Sequence, residues 1–415
     1  MNTNIKYNQN LYLLLVFSFI IRIVAVYYYG DTTIEYEWKT ILKNLNEHGT
    51  LSLYSFDGWQ VPSVFMPPLY IFFPFTINFF TPENIKLAKI VLAIQVILST
   101  LSIFMFFKLC TFFFSKNWSI FNSLLLSIFP LNIYTTTQIS SITLQILLLF
   151  FYLNLFFLLY KSNKNTYLYI FLFSLVSGML ILLRGEFYLI FIISLFYLFI
   201  FKKLNFKKNL IILLVSLLVI SPYLIRNYYN FERIALTKSL GFNLWKGNNP
   251  FATVEGSLSY EAHVHDNMFE KIENLPKDKL YEFYHDDLFL NEGIKHIKNE
   301  PMVFIKRYVK RFLSFFYFNI NSDYPDYYHP LFIVPIILIS FFSTAGIWIS
   351  IKELNFEKGY LILHLFLIIS IFSLFFILPR YKMMILPLQL IFANYFFISC
   401  LRKDNFVYKF FKNKN

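Results

Sequence analysis

The stretch YYYGDTTIEYEW, residues 27–38, sets Asp31, Glu35 and Glu37 close together directly after an apolar run. A carboxylate there can take a proton from a hydroxyl. Four cations also stand at the ends of apolar runs: Arg184 in LLRGEFYLI, Arg226 in SPYLIRNYY, and Arg380 and Lys382 in LPRYKMM. Arginine stays charged and presents a planar fork that matches phosphate oxygens. A base and a phosphate-binding fork suit a reaction in which a hydroxyl displaces a phosphate. Each cation also has a plainer reading, in which it snorkels to lipid headgroups.

These residues must be held by apolar helices. The chain has 415 residues, 57% hydrophobic and only 15% charged, a balance foreign to ordinary soluble domains. Apolar runs at 11–30, 85–109, 119–134, 142–160, 167–183, 187–201, 210–225, 331–351, 360–378 and 385–401 predict an all-α polytopic membrane protein with about ten transmembrane helices. The first run holds Arg22 and lacks a small-residue cleavage site, so it reads as a retained anchor. A charge at membrane depth is a functional candidate by default, although pairing within the bundle is the simpler role for Arg22. The run 67–80 is too short to cross and reads as interfacial.

Lysine marks one set of loops. Lys108 and Lys116, Lys161 and Lys164, Lys202, Lys203, Lys207 and Lys208, Lys352 and Lys358, and the basic tail all fall on one side. The positive-inside rule puts that side, with both termini, in the cytoplasm of a plasma (inner) membrane. The expected division is a first helix at 1–29, an outer loop at 30–83, helices at 84–225, a second outer loop at 226–329, helices at 330–401 and a cytoplasmic tail at 402–415. The net charge of +13 is spread over many loops, which suits anionic lipid headgroups and argues against nucleic acid. Cys110 and Cys400 both fall at cytoplasmic span ends, where a disulfide is not expected.

In the first outer loop, Thr32-x-x-Glu35 reads as a capping box that starts an amphipathic helix, and Gly49 stops it. On that reading Glu35 is a cap, Glu37 a solvated side chain, and Asp31 a charge at a positive helix start. In the second, FNLWKGNNP reads as a turn around Gly247 and Pro250. Trp245 there stacks on a sugar or packs in the core, and Asn248 is a polar partner for a sugar or acceptor. HVHD and HDD, with His263, His265, Asp266, His285, Asp286 and Asp287, offer metal-ligand types, as do Asp323, Asp326 and His329, but solvated loop residues are the simpler account. Residues 297–318 read as an interfacial amphipathic helix.

The order of a hydrophobic helix, GDTTIEY, an amphipathic helix and HGTLSLYSFDGWQVPSVFMPPLY resembles the GT-C superfamily of membrane glycosyltransferases. It is most similar to bacterial members akin to protein O-mannosyltransferases and the lipid A aminoarabinose transferase. SPYLIRNYYNFERIALTKSLGFNLWKGNNP, LLRGEFYLI and PRYKMMILPLQLIFA extend the resemblance in order along the chain. Many relatives carry an acidic pair where Thr32 follows Asp31, and an acid where QISSITLQ has Ile142. Against that resemblance, either the second-acid role is lost or another acid, such as Glu35 or Glu186, fills it, and divalent-metal use stays open with no cofactor certain. The resemblance implies an enzyme that moves a hexose or pentose from a polyprenyl-phosphate donor to an unknown acceptor hydroxyl (lipid, glycan or protein) at the outer membrane face. The implied transfer is inverting, with Asp31 as base and Arg184, Arg226, Arg380 and Lys382 around the donor phosphate. A transporter or flippase of lipid-linked saccharides is the alternative; such proteins commonly show internal repeats and Gly-broken helices, and this chain has 11 glycines and no repeat.

The topology is directly testable. A single cysteine introduced at Ser257 should react from outside with an impermeant thiol reagent, and one at Asn205 should not; the opposite pattern would invert the orientation.

Overall fold

The computed structural model describes residues 2–81, 86–161, 166–201, 204–256, 266–316 and 329–401. Lys164, Lys202, Lys203, His263, His265, Asp323, Asp326 and the tail lie outside the described residues. The chain enters through α1 (Asn2–Tyr29). A segment follows that holds α2 (Tyr36–His48), a hairpin of β1 (Ser52–Phe56) and β2 (Trp59–Pro62), and α3 (Pro68–Phe79). Then come α4 (Leu87–Cys110), α5 (Lys116–Ile128), α6 (Pro130–Thr137), α7 (Ile142–Lys161), α8 (Thr166–Leu183), α9 (Phe187–Ile200) and α10 (Phe206–Phe231). A second segment holds α11 (Leu240–Asn248), α12 (Asp266–Glu273), α13 (Tyr281–Asn299) and α14 (Pro301–Ser314). The chain returns through α15 (Pro330–Lys352), α16 (Phe356–Ser373), a 3-10 turn (Pro379–Met384) and α17 (Leu386–Leu401).

Runs that are apolar on every face form helices because hydrocarbon offers backbone N–H and C=O groups no other partner. Seven of the described helices (α1, α4, α7, α8, α10, α15 and α16) are long and apolar enough to cross a membrane. The protein is a multi-pass membrane protein. A count of ten would also require α5 with α6, and the shorter apolar helices α9 and α17, to cross. The expected span at 119–134 is not one helix. Pro130 lacks an amide hydrogen and pushes Phe129 to an extended conformation, so α5 stops and α6 starts afresh. The span expected at 360–378 also ends early, at Ser373, and the chain runs on to the 3-10 turn.

α7 lies at the centre, with most of its side chains buried, against α4 on one side and α8 on the other. α1 packs on α4, α5 and α6, α8 on α10, and α15 on α17. The outer surfaces of α1, α10 and α15 expose Leu13, Ile20, Leu218 and Phe341, as a hydrocarbon-facing wall requires. At the lysine-bearing end, Lys161 faces Glu357 at 3.6 Å and Tyr197 donates to the Phe356 carbonyl at 2.9 Å. Both connecting segments lie at the other end.

Three local readings change. The helix after Asp31 begins at Tyr36, not Thr32; Glu35 makes no capping bond, and Gly49 ends the helix at φ 67° as expected. Residues 52–62, not predicted as strands, form a hairpin because Asp57 and Gly58 both take positive φ, as a two-residue turn between twisted strands needs. FNLWKGN is the helix α11 rather than a turn. Gly247 is required there because a Cβ would meet the Phe375 carbonyl oxygen at 1.9 Å.

The two segments grip each other at one turn. Arg226 donates to the Ser63 carbonyl at 2.7 Å, and the buried Glu282 carboxylate accepts from the Val64 amide at 2.6 Å. Burial pushes Glu282 up to about 7, against the lowering pull of Ser63, the Val64 and Phe65 amides and Arg226. A carboxyl raised in the folded state stabilises most when protonated, and its contribution falls as pH rises from its ordinary value to about 7. Thermal stability should therefore drop between pH 5 and pH 8. Glu282→Gln should flatten that dependence; an unchanged slope would assign it elsewhere.

Candidate functional site

The loop between α6 and α7, the start of the first connecting segment and the 3-10 turn come together where α1 ends. Asp31 follows Gly30, the first residue beyond the α1 helix, and is tied to the loop between α6 and α7. Its backbone amide donates to the Thr137 carbonyl at 3.0 Å, and its Oδ2 accepts from the Ile139 amide at 2.7 Å. Burial raises the Asp31 carboxyl above its ordinary value. The Ile139 amide opposes this, the neighbouring Glu35 charge adds to it, and Arg380 lowers it. The outcome is a carboxylate with one oxygen fixed and a proton affinity above that of a free aspartate.

Glu35 turns to the 3-10 turn instead of capping α2. Its Oε1 lies 3.3 Å from Arg380 Nη1. The expected trio of Asp31, Glu35 and Arg380 is thus brought together. Tyr70 on α3 lies within electrostatic reach of all three, and its ring packs edge-on against Trp38.

Arg184 stands in the turn between α8 and α9. Its Nε donates to Gln145 Oε1 at 3.2 Å, and its Nη1 lies 3.3 Å from Glu186 Oε1. The guanidinium also covers the ring of Tyr381, 5.0 Å from its centroid, next in sequence to Arg380. A narrow cleft lined by Gln145, Arg184, Glu186, Phe187, Phe372 and Met384 opens beside it. Lys382 is buried in the same 3-10 turn and feels the charge of Glu255; burial lowers it to about 7. Lys246, on α11, lies 4.8 Å from the Phe376 ring centre and is electrostatically coupled to Glu37 and Arg380.

Other expected residues lie apart. Arg226 is held by the Ser63 carbonyl, by Asn227 Oδ1 at 2.8 Å and by the Leu51 carbonyl at 3.4 Å, so its fork is occupied by protein oxygens. Trp245 is buried against Phe289 in an edge-on pair, taking the packing alternative. Asn248 is buried, donates to the Leu374 carbonyl at 2.9 Å and accepts from Arg311 Nη1 at 3.1 Å; it binds the second segment to the chain after α16. Asp286 accepts from the Phe242 amide at 3.0 Å and faces Lys238 at 3.8 Å, and His285 is buried among Tyr54, Tyr281 and Phe289. Asp287 binds Lys238 at 2.5 Å, and His329 caps α15.

Sequence reasoning missed Tyr70, Gln145, Tyr381 and the Ile139 amide. The three side chains do lie within the motifs quoted for other residues, PPLY, QISSITLQ and PRYK. No group of three or more His, Cys, Asp or Glu forms a metal-ligand set among the described residues. At the site Glu35 faces a guanidinium and Asp31 an amide, so no metal-dependent step follows from this donor set.

The Glu35–Arg380 pair is partly exposed, and such pairs add at most ~1 kcal/mol. Glu35→Gln should leave thermal unfolding almost unchanged. Arg184→Ala removes partners from half-buried polar groups and should cost ~1–3 kcal/mol. Equal losses would contradict this ranking.

No family model and no curated protein matches the chain. Solved structures do. The archaeal oligosaccharyltransferase AglB from Archaeoglobus fulgidus, in complex with an inhibitory peptide and a dolichol-phosphate, superposes with a TM-score of 0.56 at 14% identity over 98% of this chain and 52% of that one. The same enzyme in complex with zinc and sulfate gives 0.55 at 12% identity, over 96% and 50%. ArnT from Cupriavidus metallidurans bound to undecaprenyl phosphate gives 0.44 at 9% identity, over 92% and 77%. The chain spans about half the length of the oligosaccharyltransferase it matches. At these identities the likeness speaks to architecture alone: the chain shares the membrane fold of the archaeal oligosaccharyltransferase.

Proposed function

We propose that the protein is a glycosyltransferase that moves a sugar from a polyprenyl-phosphate donor to an acceptor hydroxyl at the outer membrane face. The observation that carries this reading is the Asp31 carboxylate. It is half-buried, has one oxygen fixed by the Ile139 amide, and lies in the electrostatic field of Arg380 at the end of a membrane span. A lipid-linked donor enters from the bilayer, so its phosphate stops at a span end, and nucleotide sugars are absent outside the cytoplasm. The match to a structure holding a dolichol-phosphate supports a lipid-phosphate donor here.

In the proposed step the acceptor oxygen forms a bond to the anomeric carbon as the bond from that carbon to the phosphate oxygen breaks. The hydroxyl proton passes to Asp31, and the polyprenyl phosphate leaves with the bonding pair. Transfer runs through an oxocarbenium-like state, and a single displacement inverts the anomeric configuration. Arg380 is the first partner for the leaving phosphate, with Arg184 and the partly neutral Lys382 beside it. Fixed cations aimed at developing charge need little reorganisation during the step. Arg226, already bound to backbone carbonyls, is assigned to the fold. Glu35 orients Arg380. A sugar has Tyr381 and the cleft beside Glu186 as neighbours. Any divalent cation would have to use the Asp31–Glu35 side.

Flipping of a lipid-linked saccharide is the second reading, favoured by the helix break at Phe129–Pro130 and the unwound stretch after Ser373, since interrupted helices line transport paths. It predicts donor translocation without consumption of the sugar linkage.

Asp31→Asn keeps an oxygen for the Ile139 amide, so membrane insertion should survive. With purified protein and a polyprenyl-phosphate sugar, turnover should fall ~10²–10⁴-fold, the usual worth of a general base. Because Asp31 must be ionised and its proton affinity is raised, wild-type activity should climb with pH through a limb that lies higher than that of a free aspartate. Normal turnover of the Asn variant would remove the base assignment.

A further inference from the structure

Arg22 lies within the apolar α1 and is fully buried, yet it faces no carboxylate partner among the described residues. Its Nε donates to Ser99 Oγ on α4 at 2.7 Å. Its Nη1 donates to Ser18 Oγ at 2.6 Å, the Ser18 carbonyl at 3.1 Å and the Ser127 carbonyl at 3.3 Å. The Ser127 contact has a structural cause. The last carbonyls of a helix have no partner within it, and the break at Pro130 leaves those of α5 inside the bundle. Arg22 takes Ser127, and Asn132 Nδ2 takes the Leu126 carbonyl at 2.9 Å.

Ser99 carries the link onward. Its Oγ also accepts from Thr136 Oγ1 at 2.9 Å, near the end of α6. One turn away on α4, Gln95 Nε2 donates to the Thr136 carbonyl at 3.3 Å and the Gln138 carbonyl at 2.8 Å. The neighbouring Thr137 carbonyl and Ile139 amide are the two groups that hold Asp31. Arg22 thus holds α5 just before the break directly and the end of α6 through Ser99.

We propose that Arg22 is a positioning residue, which through Ser99, Thr136 and the broken α5–α6 helix fixes the turn whose Ile139 amide orients Asp31. The catalytic half of this inference rests on the reading of Asp31 as base; the mechanical half does not. The planar fork is essential, because a lysine ammonium cannot reach Ser99 and the Ser127 carbonyl with the same geometry.

Arg22→Lys, Ser99→Ala and Thr136→Val test it in nanodiscs. Hydrogen exchange needs no substrate: the amide of Ile139 should exchange about tenfold faster in each variant, the worth of roughly one hydrogen bond. Distant helices such as α13 should keep their protection. In the transfer assay kcat should fall ~10–100-fold with the donor KM unchanged, as misplacement of a reacting group does. The acidic limb should move to higher pH, since the bond that favours the ionised carboxylate loosens while Glu35, Arg380 and Tyr70 still face it. Unchanged Ile139 exchange in Ser99→Ala and Thr136→Val would overturn the link, and so would a rise in KM with constant kcat. If the wild type transfers no sugar, the base reading fails and the exchange result alone decides the mechanical link. Should Arg22→Lys not fold, the two milder variants carry the test.

Discussion

The hydrogen bond from the Ile139 amide to the Asp31 carboxylate is the constraint on which the site depends. It joins the end of α1 to the loop between α6 and α7, more than a hundred residues away in sequence. An ionised carboxylate at the edge of a low-dielectric bundle is costly unless a donor faces it. The amide meets that cost on one oxygen, and in the proposed reaction the other takes the proton. The Thr137 carbonyl fixes the backbone at the same point, so the side chain has little freedom to turn away.

Around that bond the charges are arranged by pairing. Glu35 holds Arg380, Glu186 holds Arg184, and Glu255 lies in reach of Lys382. Each of the two arginines is paired with a carboxylate. Burial lowers Lys382 to about 7, whereas arginine stays charged and is the dependable cation at the site. An arriving phosphate would compete with Glu35 for Arg380 and so couple binding to the first connecting segment. The second segment is tied in by Gly247, Asn248 and Arg311 at the chain after α16, upstream of the turn that presents Arg380.

The membrane character and most of the helices were legible in the sequence, because apolar length is a local signal; Arg184 and Arg380 were singled out there by charge at span ends, and Asp31 and Glu35 by resemblance. Thr32-x-x-Glu35 misled because a capping motif is also local, whereas a guanidinium 345 positions away claims the carboxylate. Arg226 looked equivalent to Arg184, and only the fold distinguishes them, by bringing the Ser63 carbonyl of the first segment to one and Gln145 of α7 to the other. Ile142 drew notice as the missing acid in QISSITLQ. The same stretch instead serves the site through the Ile139 amide and Gln145, and a backbone donor leaves no mark in side-chain chemistry. The Pro130 break was visible as a proline, but its consequence depended on a buried arginine on another helix.

The most direct test of the account is a structure of the protein in nanodiscs with a polyprenyl phosphate bound. The account predicts the phosphate against Arg380, displacing Glu35, within one sugar ring of the free Asp31 oxygen and with the prenyl chain running down the bundle wall. A phosphate bound at the lysine-rich end, or at Arg226 with Asp31 remote from it, would contradict it.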